Sequence, residues 1–190
     1  MSISKKVLDY LKKKGVEAKK VAHKKVYTTL DLASTLKEKL NKVGKTLLVK
    51  ADDKYYMVLV PGHYYLDLGK VKKALKVKKA VLADEAYIKK MLDMVPGALH
   101  PFSGISKVDL LIDKALLRVE EAVIRAGSFT ESLRMKVKDL GKMENATLGD
   151  FGKLAVKEVK KAVKKGYIKK TIKKAKKTVK NAVKKVKRGS

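Results

Sequence analysis

The chain has 190 residues, of which 45% are hydrophobic and 35% are charged, and its formal net charge is +29. This length and composition predict one folded domain with an extension and exclude two full enzymatic domains. The sequence contains no cysteine, which excludes disulfides, thiolate metal sites and cysteine nucleophiles. The excess of positive charge favours a polyanionic partner, either a nucleic acid or an acidic membrane surface.

The first half of the chain alternates between helical and extended patterns. Helices are predicted where apolar residues recur at spacings of three and four, and strands where apolar residues run together. A capping box that begins at Thr28 opens the second helix, and a tight turn joins the last two strands into a hairpin. The predicted elements are a helix over residues 7–11, a strand over 20–23, a helix over 28–41, strands over 46–50 and 55–60, and the turn over 51–54.

The second half continues the alternation up to about residue 137. Asp67 and Asp84 are predicted to cap helices, and Gly127 is predicted to form a turn between two extended segments. Because strands outnumber crossover helices, a mixed sheet is favoured over a doubly wound parallel one. The predicted elements are helices over residues 67–75 and 84–94, a loop over 96–104, and strands over 77–82, 108–112, 121–126 and 132–137.

Lys45 lies in a segment that superficially suggests a nucleotide-binding P-loop. The first glycine of that motif is replaced by Lys39, and the segment runs from helix into strand rather than from strand into helix. The position of Lys45 instead indicates a cation directed at a phosphate or an ester carbonyl from the end of a sheet. An ordinary solvated lysine is the alternative.

A series of short motifs in a fixed order resembles the YbaK and prolyl-tRNA-synthetase-associated editing-domain family over roughly residues 3–145. The most specific motifs are Lys45-Thr46 at the start of an apolar strand and the GxxxP loop from Gly97 to Pro101. The resemblance implies a mixed α/β fold with a partly barrel-like sheet flanked by helices. The remaining motifs are His23, Thr28-Thr29, Ala33, Pro61-Gly62, Leu66-Asp67, Ile112-Asp113 and Ala126-Gly127.

The resemblance also implies an activity, the hydrolysis of the ester that joins a wrongly attached amino acid to the 3′ end of a tRNA. The protein would act in trans, with mischarged tRNA as its partner and an aminoacyl-tRNA synthetase as a second candidate partner. Because an aminoacyl ester is already activated, the protein needs only to orient water or a ribose hydroxyl and to stabilise negative charge. No nucleophile of its own is required.

Site residues follow from the same resemblance. Lys45 would contact the terminal phosphate or the ester carbonyl, and the main chain at Gly97 and Ala98 would lie near the scissile bond. A pocket that sorts amino acids by volume is useful because a single methylene discriminates only about 10- to 200-fold at a synthetase. The residues implied to bind substrate are Thr28, Leu30, Thr46, His100, Pro101, Gly127 and Ser132.

Two residues depart from the family pattern where specificity would be determined. Arg125 and Ser132 stand where a small polar residue, and often an acid, is expected. These departures leave the edited amino acid open. They also keep an alternative function, a nucleic-acid-binding protein that retained the fold and lost hydrolysis.

No metal or cofactor site is expected. The three histidines, His23, His63 and His100, lack metal-ligand spacing. The adjacent carboxylate pairs would point in different directions and are assigned no catalytic role.

The C-terminal segment is distinguished by its charge, because residues 153–190 hold 17 Lys and Arg residues and one acidic residue. Its apolar residues recur at spacings of three and four, which predicts a lysine-rich amphipathic helix, or two that meet near Gly166. Such an array favours a polyanion; a membrane surface and a solvated or intramolecularly packed helix are the alternatives. The lysines predicted to bind RNA are Lys160, Lys161, Lys164, Lys165, Lys169, Lys170, Lys173 and Lys174.

The domain boundary is expected between residues 148 and 149, with an editing domain over 1–148 and the lysine-rich extension over 149–190. No Pro-rich or Gly/Ser-rich linker marks this boundary. The opening residues hold no apolar run long enough for a signal peptide or a membrane span, so we expect a cytoplasmic protein.

Overall fold

A mixed β-sheet with helices on both faces forms the centre of the protein in a computed structural model that describes residues 3–154. These residues belong to a compact unit that runs from Met1 to Ala155. The strands are β1 (Ala18–Ala22), β2 (Val43–Ala51), β3 (Lys54–Pro61), β4 (Tyr64–Leu66), β5 (Ala80–Leu82), β6 (Asp109–Asp113), β7 (Glu121–Arg125), β8 (Glu131–Lys136), β9 (Thr147–Gly149) and β10 (Gly152–Leu154). The helices are α1 (Lys5–Lys13), α2 (Thr29–Thr35), α3 (Leu68–Leu75), α4 (Glu85–Leu92), α5 (Ser103–Ser106) and α6 (Val137–Met143).

The sheet has eight strands, seven of which follow the order β1-β8-β7-β2-β3-β6-β9, while β5 pairs with the far end of β2. The β2/β7, β3/β6 and β6/β9 pairs are parallel, and the other pairs are antiparallel. Strands β4 and β10 form a separate antiparallel pair. The prediction of a mixed α/β fold is therefore confirmed.

The sheet is open, so the prediction of a partly barrel-like sheet was wrong. In the part of the chain that the structure describes, β1 and β9 are its two ends and do not pair with each other. The physical reason is that apolar residues on both faces of the central strands are covered by helices. A sheet buried in this way has no need to curl onto itself.

Two hydrophobic cores lie on opposite faces of the sheet, because successive side chains of a strand point in opposite directions. In β2, Leu48 belongs to the first core and Val49 to the second. Helices α1, α4 and α6 contribute apolar residues to the first core, and α3 contributes Val71 to the second. Glu144 joins α1 and α5 to the end of α6, because its carboxylate accepts hydrogen bonds from the hydroxyls of Tyr10 and Ser103.

Three helices begin at the caps that the sequence predicts. The side chains of Thr28, Asp67 and Asp84 each accept a main-chain N–H in the first turn of α2, α3 and α4. The second helix is shorter than predicted, because it ends at Thr35 and a separate 3₁₀ turn, Leu40–Lys42, leads into β2.

Several short elements were not predicted. The strand predicted over 132–137 ends at Lys136, where helix α6 follows, and α5 begins inside the predicted loop over 96–104 and extends to Ser106. Strands β4, β9 and β10 have three residues each, which is too few for a period-two pattern to be recognised. No helix within residues 3–154 has the length and apolar character needed to cross a membrane.

Candidate editing site

Lys45, Arg125 and Ser132 lie on one face of the sheet, on three adjacent strands. Gly44 of β2 pairs with Ile124 of β7, and a side chain at Gly44 would point into the first core. The next residue on each strand, Lys45 and Arg125, therefore faces the opposite side. Arg125 pairs directly with Ser132 of β8, which places both side chains on the same face.

Lys45 is half-buried at the start of β2, between an aromatic ring and a histidine. Its Nζ lies 5.5 Å from the centre of the Tyr65 ring, a cation–π distance. Burial lowers the pKa of His63, and the positive charge of Lys45 lowers it further. His63 is therefore a neutral neighbour at pH 7, and Lys45 carries the positive charge.

Arg125 is a buried cation whose exposed fraction is 4%. Its guanidinium donates to the main-chain carbonyls of Val26, at 2.8 Å, and Ser128, at 3.2 Å, and lies 5.2 Å from the Phe129 ring. Within residues 3–154 no carboxylate forms an ion pair with it. Burial lowers its pKa, which expresses the cost of holding a charge out of water without a counterion.

Ser132 forms a hydrogen bond with His23. Its Oγ lies 2.9 Å from His23 Nε2, while His23 Nδ1 lies 2.9 Å from the Lys24 carbonyl. Because a carbonyl only accepts, the neutral ring carries its proton on Nδ1, and Nε2 accepts from the serine hydroxyl. Ser132 is fully buried, so this pair holds β8 against the end of β1 and does not present a nucleophile.

The loop that contains the GxxxP motif buries Leu99 in the first core and approaches Arg125 through the Phe129 ring. Gly97 is exposed and has a φ of +82°, a left-handed conformation that favours glycine. A Cβ at Gly97 would lie 3.7 Å from the Phe129 ring. Ala98 is buried; its N–H donates to the Val95 carbonyl and its carbonyl accepts from the Gly127 N–H, both at 2.9 Å. Ala98 therefore fixes the loop that presents Gly97.

A cavity of about 650 Å³ lies on the other side of this loop, next to α1 and α4. His100 and Gly127 line it, together with Lys6 and Asp93. Burial lowers the pKa of His100 to about 4, and its Nδ1 accepts the Phe102 N–H at 3.3 Å. His100 is thus neutral at pH 7 and holds the loop, and Pro101 beside it is buried.

Thr28, Leu30 and Thr46 are three more of the residues that the resemblance implies to bind substrate. The Thr28 hydroxyl caps α2, accepting the Asp31 N–H at 3.0 Å and donating to the Asp31 carboxylate at 2.7 Å. Leu30 is half-buried in α2. Thr46 is buried and faces the side opposite Lys45, and its Oγ1 has no hydrogen-bond partner within residues 3–154. Their contact with substrate stays a prediction.

The lysines predicted to bind RNA, Lys160 to Lys174, lie outside the described residues. Within residues 3–154 no group of three or more His, Cys, Asp and Glu side chains is placed to hold a metal ion.

The aromatic residues around the site were not predicted from the sequence. Tyr65 lies beside Lys45, and the Tyr27 and Phe129 rings pack 4.9 Å apart next to Gly97. His63 directly follows the Pro61-Gly62 motif, and this motif is the one sequence signal that indicated a position near the site. The contact between Tyr27 and Phe129 joins residues far apart in the sequence, so no local pattern predicts it.

Comparison with known proteins places this chain in a family. A model of the aminoacyl-tRNA editing domain matches residues 23–143. The proline–tRNA ligase of Macrococcus caseolyticus is 33% identical over 101 residues, which are 53% of this chain and 18% of the ligase. That of Listeria monocytogenes is 29% identical over 121 residues, which are 62% of this chain and 21% of the ligase. The chain thus spans about a fifth of the length of these relatives.

Two solved structures share the fold. The crystal structure of a hypothetical protein has a TM-score of 0.74 and 20% identity, and covers 78% of this chain and all of its own. That of a proposed trans-editing enzyme for prolyl-tRNA synthetase has a TM-score of 0.69 and 19% identity, and covers 80% and 99%. The family match extends over more than half of the sequence and confirms the resemblance: the chain belongs to the aminoacyl-tRNA editing domain family.

Proposed function

We propose that this protein hydrolyses the ester that joins a wrongly attached amino acid to the 3′ end of a tRNA. Membership of the editing-domain family connects the chain to aminoacyl-tRNA editing. The finer proposal, catalysis by this chain, is supported by one observation above all. Lys45 is a half-buried cation near the start of β2, on the same face of the sheet as Arg125 of the neighbouring strand, where it can stabilise an anionic ligand or a developing oxyanion.

The chemistry needs little from the protein beyond charge and position. Water adds to the ester carbonyl carbon, the bond to the ribose oxygen breaks, and that oxygen takes up the proton that water gives up. Negative charge develops on the carbonyl oxygen during the addition. Lys45 stabilises that charge or holds the terminal phosphate, and the exposed main chain of Gly97 faces the same substrate.

The substrate and partner proposals follow from the same comparisons. The relatives reported above are proline–tRNA ligases, and one solved structure with the same fold is that of a proposed trans-editing enzyme for prolyl-tRNA synthetase. We therefore propose that the protein acts in trans on tRNA that a synthetase has charged wrongly. A small amino acid such as alanine, serine or cysteine is the first substrate to test.

The test is deacylation of tRNAs mischarged with alanine, serine or cysteine by the full-length protein, with Lys45→Ala alongside. We expect the wild type to hydrolyse at least one of them. Lys45→Ala should lower kcat by about 100-fold or more, the usual effect of removing a group that stabilises an oxyanion. Its affinity for tRNA should change by less than about tenfold, because many other cations contact phosphate.

Lys50→Ala is the matched control, because Lys50 lies on the same strand but is exposed and faces the opposite side. It should leave kcat unchanged. If the wild type bound tRNA and hydrolysed none of the panel, the protein would be a binding protein on this fold. An equal loss of kcat in the two lysine variants would remove Lys45 from the site.

A further inference from the structure

We propose that Tyr27 and Phe129 form a stacking surface for the base of the 3′-terminal nucleotide of tRNA. This inference rests on the proposed function, because the terminal ribose carries both the ester and the base. A protein that cuts this ester must accommodate the base next to the site of cleavage.

The two rings form an open aromatic pair. Tyr27 is 60% exposed and Phe129 is half-buried, and their ring centres lie 4.9 Å apart at an angle of 55°. Lys25 Nζ lies 5.5 Å from the centre of the Tyr27 ring. An exposed ring beside a cation suits a nucleotide, because the ring stacks on the base while the cation attracts the phosphate.

This pair is continuous with the candidate site. Phe129 lies against Gly97 of the GxxxP loop, and Arg125, the strand neighbour of Lys45, lies beneath the same ring. The aromatic pair therefore adjoins Gly97 of the loop and Arg125, which stands on the strand next to that of Lys45. A terminal nucleoside bound with its ester near Gly97 has its base beside Phe129 and Tyr27.

The pair is also held in place. The Arg125 guanidinium donates to the carbonyls of Val26 and Ser128, the residues that precede Tyr27 and Phe129. The Val26 N–H donates to the Phe129 carbonyl at 3.1 Å. Three hydrogen bonds therefore fix the two ring-bearing segments to each other and to β7. A surface fixed before the ligand arrives binds with less loss of conformational entropy.

The experiment uses uncharged tRNA that carries the fluorescent base 2-aminopurine in place of its 3′-terminal adenine. Stacking on an aromatic ring quenches this fluorophore, so titration with the full-length protein should quench it. Tyr27→Leu should remove most of the quenching at saturation and weaken binding roughly 5- to 100-fold, the range expected from loss of one base–aromatic contact. Tyr27→Phe should retain both, because the stacking ring remains.

Met91→Ala is the control, because Met91 is equally exposed at 60% but lies on α4. It should behave as the wild type in quenching and binding. If Tyr27→Leu quenched and bound as the wild type does while the wild type deacylated tRNA, the stacking surface would be wrong and the proposed function would stand. Quenching that depends on Tyr27, in a protein without deacylation, would support the surface and overturn the catalytic proposal. A protein that showed neither Tyr27-dependent quenching nor deacylation would overturn both the stacking surface and the catalytic proposal.

Discussion

At the scale of single residues, His100 couples the stability of the protein to pH. Burial lowers its pKa from 6.5 to about 4 in the folded protein. Between these two values the unfolded chain binds a proton that the folded protein does not bind. The free energy of unfolding therefore falls as the pH decreases from about 6.5 to about 4, by about 3 kcal/mol over the whole window.

Urea unfolding at pH 7.5 and pH 4.5 checks this prediction in the wild type and in His100→Gln. The wild type should lose about 2–3 kcal/mol more than the variant between the two pH values. His63, whose pKa is also lowered, contributes equally to both proteins and cancels in the comparison. An equal loss of unfolding free energy in the wild type and in His100→Gln would contradict the assignment of this pH dependence to His100.

The site residues also show which features of the site could be predicted from the sequence. The adjacent motif residues Lys45 and Thr46 were both assigned to the substrate, yet a strand directs them to opposite faces of the sheet. The strand predicted over 46–50 began one residue after Lys45, so it did not show that the two side chains point apart, whereas the observed strand begins at Val43. Arg125 was recognised as unusual, but its burial and its bonds to Val26 and Ser128 depend on the packing of two loops, which no single sequence displays.

At the scale of secondary-structure elements, Asp113 joins the end of β6 to the corner between β9 and β10. Its carboxylate accepts the N–H groups of Ala115, Phe151 and Gly152, each at 2.8 Å. Phe151 is fully buried in the second core. From these contacts we infer that the folded domain extends as far as β10. The boundary was expected earlier, at residue 148.

Phe151→Ala tests this anchoring in the full-length chain. Removing a fully buried phenylalanine should lower the free energy of unfolding by about 3–5 kcal/mol, because a cavity replaces its contacts. Leu154→Ala is the control, since Leu154 is 53% exposed and should cost little. Equal urea midpoints for the two variants would show that the segment after residue 148 does not stabilise the domain.

Elements with strong local signals were predicted well, and those that depend on distant contacts were not. Asp67 and Asp84 cap their helices as their positions before apolar runs indicate. By contrast, α6 was not predicted, and its first residue, Val137, was included in the strand predicted over 132–137, because the helical face of α6 is defined by packing into the first core. The parallel β2/β7 pair, which creates the neighbours Lys45 and Arg125, joins residues about 80 positions apart.

At the scale of the whole molecule, the charge is concentrated where the family match ends. Residues 155–190 contain 16 of the 48 Lys and Arg residues and one acid, and the editing-domain model stops at residue 143. The chemistry proposed at Lys45 and the attraction of a polyanion predicted for the C-terminal lysines therefore belong to separate parts of the sequence. A variant that changes the electrostatic attraction of tRNA should therefore be able to leave the rate of hydrolysis unchanged.

Deletion of residues 155–190 should reduce the salt dependence of tRNA binding and leave kcat at saturating substrate within about twofold. Each phosphate contact that is lost lowers the slope of log K against log salt by about 0.9 on duplex RNA, if it behaves as B-DNA does. Replacing Lys160, Lys161, Lys164, Lys165, Lys169, Lys170, Lys173 and Lys174 with glutamine keeps the length and removes eight charges. If charge is responsible, this variant should reproduce most of the change in slope. An unchanged slope in the deletion variant would mean that the folded domain alone holds the RNA, through lysines such as Lys25 and Lys45.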